Sequence, residues 1–484
     1  MGKLKRNIIY QTAYQMLTII LPLITSPYVS RVLGAENLGI YSYTCSIANY
    51  FVLFAMLGIN NYGNRTIAMV RDDQDELNKT FSNIFAVHSL LSVIMIGMYI
   101  VYLVFMVKEN NLCAVIQILY IIGALFDINW FYFGLEEFKL TVTRNTCIKI
   151  ITVISIFTFV RSRDDLWKYV FIMALGSFIS QSVVWLFLRK YVTFVKPSLK
   201  EMKTHIMPML VLFIPVVAIS LYKVMDKIML GYLCEMEEVG YYENAEKAIN
   251  IPNSIIGAFG AVMLPKMSNL MKNGSTNQSR KYMNYSMEYV MLLASGLSFG
   301  LCAVASDFSV VFWGNDFEAC GPLIEVLAFT VPFLAFANVI RTQYLIPTRR
   351  DKEYSVSVFV GAGVNLLLNL LLIPRYGALG AAFGTLFAEI AVCVVQTLSV
   401  KKELPILQYL LKSVFFLGFG MLMFIFVKFR ASSNGTGVLG LCLEIVKGVI
   451  VYGILSVLYL YFTKNVVFLS TSTKLLNKLK KDSK

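Results

Sequence analysis

Apolar residues in this 484-residue chain are gathered into runs of roughly 18 to 25 residues, with short polar clusters between them. A helix of that length crosses the ~30 Å hydrocarbon core of a bilayer. The pattern shows no alternation at a period of two. In hydrocarbon every backbone N–H and C=O must be satisfied inside its own segment or in a closed barrel, so runs of this kind are helices. About fourteen can be delimited: 8–30, 38–62, 81–107, 112–135, 146–160, 166–188, 206–233, 245–271, 285–305, 322–346, 354–373, 378–400, 406–427 and 438–462. The predicted fold class is an all-α polytopic membrane protein.

The chain also repeats itself. The first span carries Pro22 and Pro27, then Arg31, then Leu33–Gly34, then LGIY ending at Tyr41. The seventh carries Pro208 and Pro215, then Lys227, then Leu230–Gly231, then VGYY ending at Tyr242. Six spans precede the second copy. The order therefore predicts two parallel six-helix bundles, 1–190 and 206–402, joined by a basic cytoplasmic linker over 191–205. Two additional spans and a basic tail occupy 403–484.

Composition agrees: 57% of residues are hydrophobic, only 15% are charged, and the mean hydropathy is +0.67. Charge adds an orientation. Lys and Arg collect in alternate connections, among them Arg65, Arg71 and Lys79; Lys139 and Arg144; Arg189 to Lys203; Arg349, Arg350 and Lys352; and the tail with Lys474, Lys478, Lys480, Lys481 and Lys484. The opposite connections are poorer in cations and include an acidic loop with Glu235, Glu237, Glu238 and Glu243. This bias places both termini in the cytoplasm. It also accounts for most of the net charge of +14, so nucleic acid is not an expected partner. The first segment is too long, and too interrupted by prolines, for a cleaved signal peptide.

Enzyme chemistry finds little footing. The eight cysteines stand singly, His88 and His205 have no second ligand nearby, and no metal site or cofactor is expected. No connection is long enough for a folded aqueous domain. The adjacent carboxylates Asp72/Asp73, Glu136/Glu137, Asp164/Asp165 and Glu237/Glu238 fall in short turns, where they read as solvated loop charge rather than an acid–base pair. Asn-x-Ser/Thr matches such as Asn64 and Asn434 fall by chance. The expectation is a protein that is not an enzyme.

Three blocks carry a family resemblance. PLITSPYVSRVLGAENLGIYSYTCSIANYFVLFAMLGINNYGNR resembles the amino-terminal signature of the polysaccharide-transporter (Wzx-type) flippases. GAGVNLLLNLLLIPRYGALGAAFGTLFAE resembles their eleventh and twelfth helices, and WFYFGLEEFKLTVTRN a third block. That family lies within the multidrug/oligosaccharidyl-lipid/polysaccharide exporter superfamily. The resemblance implies two lobes around a central cavity in a bacterial cytoplasmic membrane. It also implies translocation of an undecaprenyl-pyrophosphate-linked oligosaccharide by alternating access, for export of a capsule, O-antigen or related polymer. Membrane lipid, a coupling proton or sodium ion and a polysaccharide polymerase are the further partners it brings. A multidrug or organic-cation antiporter of the same superfamily, and a membrane polymerase or ligase using the same lipid carrier, are the competing readings.

A charge kept near a bilayer centre costs about 2.5–3.5 kcal/mol on insertion scales, so it should face protein or water and have a partner. Arg31, near the outer end of the first span, and Lys223 and Lys227, one helical turn apart in the seventh, are candidates to line the cavity and attract pyrophosphate. Snorkelling to the outer interface is the alternative. Arg341 is a candidate for capture at the cytoplasmic mouth. Asp127, Glu288 and Glu389 are candidates for ion coupling, with pairing to a nearby cation as the alternative for each. Asn365 and Asn369 read as interhelical glue, and Gly377, Gly380 and Gly384 as a strip for close helix approach.

Overall fold

The computed structural model describes residues 3–430 and 437–465; the tail cations and Asn434 lie outside the described residues. Every regular element described is a helix. The chain divides into two compact units, Met1–Glu243 and Asn244–Lys484.

In the first unit α1 (Lys3–Met56) is bent at Gly34, whose φ of 79° lies where a side chain is disfavoured. It is followed by α2 (Ile59–Val70), α3 (Gln74–Phe105), α4 (Asn111–Ile116), α5 (Ile118–Leu125), α6 (Asn129–Gly134), α7 (Phe138–Phe159), α8 (Leu166–Val183), α9 (Trp185–Leu188) and α10 (Leu199–Leu233). Helix α1 packs against α3, α5, α7 and α10. The unit holds an aromatic core in which Trp130, Phe131 and Tyr132 pack with Phe81, Ile59 and Ile67. The ring of Trp130 lies where Gly63 lacks a side chain, with Cδ2 2.8 Å from where a Cβ would sit.

The segment between α9 and α10 has no helix of its own. Its backbone N–H groups at Thr193, Val195 and Ser198 donate instead to Asn78 Oδ1, Ser82 Oγ and Asn83 Oδ1, spaced along α3. Those three polar side chains fix the linker against the first unit.

Helix α11 (Met236–Lys272) carries the chain into the second unit, formed by α12 (Thr276–Trp313), α13 (Cys320–Ala328), α14 (Thr330–Ile340), α15 (Asp351–Val400), α16 (Ile406–Arg430) and α17 (Val438–Phe462). Between α14 and α15 the chain makes a π-helical turn, Arg341–Leu345. The last two helices belong to this unit's core: Phe299, Ala303, Met423, Val427 and Tyr452 pack together, and Tyr452 donates to the Leu292 carbonyl at 2.6 Å.

Among the described residues, twelve helical stretches are long and apolar enough to cross a membrane. Two of these stretches, Ile20–Val70, which runs from α1 through the break at Leu57–Gly58 into α2, and Asp351–Val400, are 51 and 50 residues long, about 75 Å at 1.5 Å per residue and far too much for one crossing. Each turns at a positive-φ glycine, Gly34 and Gly377. Each thus holds two of the apolar runs, which reconciles the twelve helices with about fourteen. In α15 the arms before and after Gly377 meet closely: a Cβ on Gly380 would lie 2.8 Å from the Ile373 backbone nitrogen. The expected glycine strip is where the arms touch.

Candidate functional site

The candidate cations Arg31, Lys223 and Lys227 belong to the first unit, on α1 and α10, two helices that pack together. Arg31 is exposed on the last turn before Gly34, and Lys223 is exposed one turn before Lys227. Lys227 is different. Its Nζ donates at 3.0 Å to Glu243 Oε2, and the side chains of the pair are only 15% and 18% exposed.

What brings Glu243 there is a close crossing of the two repeated motifs. Gly39 of LGIY faces Met236, and Gly240 of VGYY faces Ala35. A Cβ on Gly39 would lie 2.6 Å from the Met236 carbonyl carbon, and one on Gly240 2.9 Å from that of Ala35, with both carbonyl oxygens nearer still. Only glycine lets these backbones approach so closely. One turn further on, Ser42 Oγ donates to Glu243 Oε2 at 2.9 Å. Beside this pair, Tyr242 donates to Asp226 Oδ2 at 2.6 Å, with both residues buried. The glycine of the other repeated pair, Gly231, makes room for the Tyr43 ring.

Sequence reasoning placed Glu243 in an acidic loop between two spans. The structure corrects this: α11 begins at Met236, so Glu243 lies two turns inside a helix and is paired. The overlooked signal was the repeat itself, which aligns Glu243 with Ser42. Asp165 is likewise no solvated loop charge. It accepts from the Arg161 and Ser162 backbone N–H groups at 2.8 and 3.0 Å and pairs with Lys168 at 2.6 Å, closing a short 3-10 turn.

Asp127 lies elsewhere in the first unit. It accepts from the Asn129 N–H at 3.0 Å at the start of α6. Around it is a cluster that sequence reasoning missed. Arg144, assigned to a cytoplasmic connection, is buried in α7 and donates to Asn129 Oδ1 at 3.0 Å and Asn145 Oδ1 at 2.6 Å. Asn129 in turn donates to Gln181, and Ser180 to Asn145, both at 2.8 Å. Three helices thus contribute polar groups to one interior site.

The remaining candidates lie in the second unit. Arg341 opens the π-helical turn, donates to Asn338 Oδ1 at 2.6 Å and stands 5.6 Å from the Tyr354 ring centre. Buried Glu288 accepts from Lys412 at 3.0 Å and from Asn465 at 2.8 Å, joining α12 to α16 and to the segment after α17. Glu389 is buried in the second arm of α15. His88 is buried and His205 Nδ1 is 2.6 Å from the Tyr62 hydroxyl. Among the described residues no group of three or more His, Cys, Asp or Glu side chains is arranged to hold a metal ion.

Long apolar helices with ionised side chains paired inside them define a polytopic membrane protein. The chain belongs to the family described as "Polysaccharide biosynthesis protein", which it matches over residues 4–271. It is 25% identical over 402 residues to the "Putative O-antigen transporter" of Shigella dysenteriae, covering 82% of this chain and 100% of that protein. Its fold is similar to the solved structure "Lipid II flippase MurJ, inward closed conformation", with a TM-score of 0.78, 14% identity and coverage of 95% of this chain and 100% of that one. An outward-facing multidrug resistance MATE family transporter of the MOP superfamily is similar at a TM-score of 0.50 and 13% identity, over 82% of this chain and 92% of that one. Both likenesses fit the fold expected of the exporter superfamily.

Proposed function

We propose that this protein is a flippase that carries an undecaprenyl-pyrophosphate-linked oligosaccharide from the cytoplasmic to the outer leaflet, by alternating access, for export of a surface polysaccharide. The observation that carries the reading is a lysine held inside a membrane helix, Lys227, on the segment that repeats the Arg31 motif, in a chain of the polysaccharide biosynthesis family. In this reading Arg31, Lys223, Lys227 and Arg341 attract the pyrophosphate, and Asp127, Glu288 and Glu389 are the carboxylates offered for coupling to a proton or sodium ion. Both termini face the cytoplasm. No covalent chemistry is done on the glycan.

The division of labour follows from solvation. The charged, hydroxyl-rich head loses hydrogen bonds worth several kcal/mol per group in hydrocarbon, so it needs a wet path. The prenyl tail gains about 0.8 kcal/mol for each methylene kept in lipid. An apolar groove of about 490 Å³ on the first unit, between Ile151, Thr152 and Phe159 of α7 and Phe171, Leu175 and Gly176 of α8, suits a lipid chain.

Purified protein in vesicles loaded with a labelled undecaprenyl-pyrophosphate glycan tests the proposal. The glycan should reach the opposite leaflet with its mass unchanged. Elongation or transfer of the glycan would instead establish a polymerase or ligase, and a vesicle that moves organic cations but no glycan would establish an antiporter.

A further inference from the structure

Lys227 does not wait for a ligand with its charge uncovered. Glu243 already supplies an anion, and Ser42 aims it by binding the same carboxylate oxygen. A phosphate that takes over this contact with Lys227 replaces the carboxylate. The replacement is an exchange of one anion for another, so the lysine is never left desolvated and unpaired, the state that is expensive in a partly buried site.

The exchange is selective by charge. Glu243 presents one negative charge, is tethered within reach, and so acts at a high effective concentration. The phosphodiester of a bulk membrane lipid also carries a single negative charge and gains nothing by displacing it. A pyrophosphate carries more charge and more acceptor oxygens, and gains in the exchange. We infer that Glu243 is a specificity-determining residue: a built-in counter-anion that keeps single-phosphate lipids off Lys227 and yields to a pyrophosphate head. This rests on the reading of Lys227 as a pyrophosphate-binding residue. It adds what that reading lacks, a reason why abundant anionic phospholipid does not occupy the site.

The test uses the full-length protein in lipid nanodiscs, with farnesyl pyrophosphate as the probe and phosphatidylglycerol as the competitor. Binding is measured in neutral discs and in discs rich in phosphatidylglycerol. General surface repulsion weakens binding to all variants alike, so the comparison is between variants. Glu243→Gln keeps the acceptor for Ser42 but loses the charge. Its affinity is expected to fall in phosphatidylglycerol discs by about fivefold more than that of the unsubstituted protein, the scale of a partly exposed ion pair. The added sensitivity should vanish in the Lys227→Gln/Glu243→Gln double variant and be largely absent in Glu243→Asp. Where the glutamine variant does not fold, Ser42→Ala loosens the carboxylate with every charge in place and should shift in the same direction. Equal sensitivity of Glu243→Gln and the unsubstituted protein, with Lys227→Gln weakening probe binding, overturns the role of Glu243 and leaves Lys227 as a ligand-binding residue. Lys227→Gln binding the probe normally in both discs removes Lys227 from the site, and the filter with it.

Discussion

Replacing Gly39 by alanine should destabilise the protein although alanine is the better helix former. In an open helix the exchange stabilises by up to about 1 kcal/mol. At position 39 the new methyl would sit 2.6 Å from the Met236 carbonyl carbon, where ordinary contact begins near 3.4 Å. The carbonyl oxygen is nearer still, so the start of α11 must retreat by roughly 1.5 Å, and overpacking of that kind costs about 1–3 kcal/mol. The displacement also pulls Glu243, one turn past Gly240, away from Ser42 and Lys227. Gly257, on the same helix α11, is the matched control, since a Cβ there meets nothing within 4 Å. Thermal unfolding of the purified protein in one detergent should rank Gly257→Ala at or above the unsubstituted protein and Gly39→Ala below it. Gly240→Ala should behave like Gly39→Ala. The double variant should cost less than the two singles together, because one separation of the helices relieves both clashes. A melting temperature for Gly39→Ala as high as that of Gly257→Ala would refute the close crossing.

Gly34→Ala and Gly377→Ala should each lower stability by about 1–2 kcal/mol, because both positions hold a positive φ that a Cβ opposes, and chemical unfolding would measure it. Lys412→Met leaves buried Glu288 with its Asn465 contact alone; the loss should reach the lower part of the ~3–5 kcal/mol range for half-broken buried pairs, and Lys412→Met/Glu288→Met should recover most of it, read from the same unfolding curves. Arg144→Ala should destabilise by more than exposed Arg31→Ala, since it strips the guanidinium from Asn129 and Asn145 in the protein interior, and a thermal melt would rank the two. In the vesicle assay Arg31→Ala, Lys223→Ala and Lys227→Ala should each reduce glycan translocation at unchanged protein level; full transport by all three would exclude these cations from the substrate path.

The spans were legible because hydrocarbon allows so few solutions: a long apolar run has to be a helix. The turn at Gly377 was not, since glycines at that spacing read equally as a strip for close helix approach. Arg144 was not legible. A cation next to a predicted span end looks like the inside bias of a loop, and only the positions of Asn129, Ser180 and Gln181 on neighbouring helices reveal its partners. Glu288 shows the same limit. Its pair with Lys412 joins residues more than a hundred positions apart, and helix periodicity carries no information at that separation.

Glu243 lies between these cases, and the repeat explains why. Two copies of a motif that only resembled one another in fold would need no contact. Here Ala35, Gly39 and Ser42 of the first copy meet Gly240, Met236 and Glu243 of the second: Ala35 against the counterpart of Gly39, Gly39 against the counterpart of Ala35, and Ser42 against its own counterpart. That is the reciprocity of an isologous contact, built inside one chain. A symmetric crossing selects glycine twice, once in each copy, because each backbone has to admit the other. It treats the next turn differently: two carboxylates at the paired positions would repel, and two serines would remove the carboxylate that Lys227 contacts. The divergence of Ser42 from Glu243 is therefore where the two copies specialise, one holding the charge and the other orienting it. Exchanging them, Ser42→Glu with Glu243→Ser, restores a carboxylate and a hydroxyl across the crossing but presents the charge from α1. Thermal stability should come back close to that of the unsubstituted protein, while Ser42→Glu alone should fall well below it, and a swapped protein no more stable than that single variant would refute the symmetry of the contact.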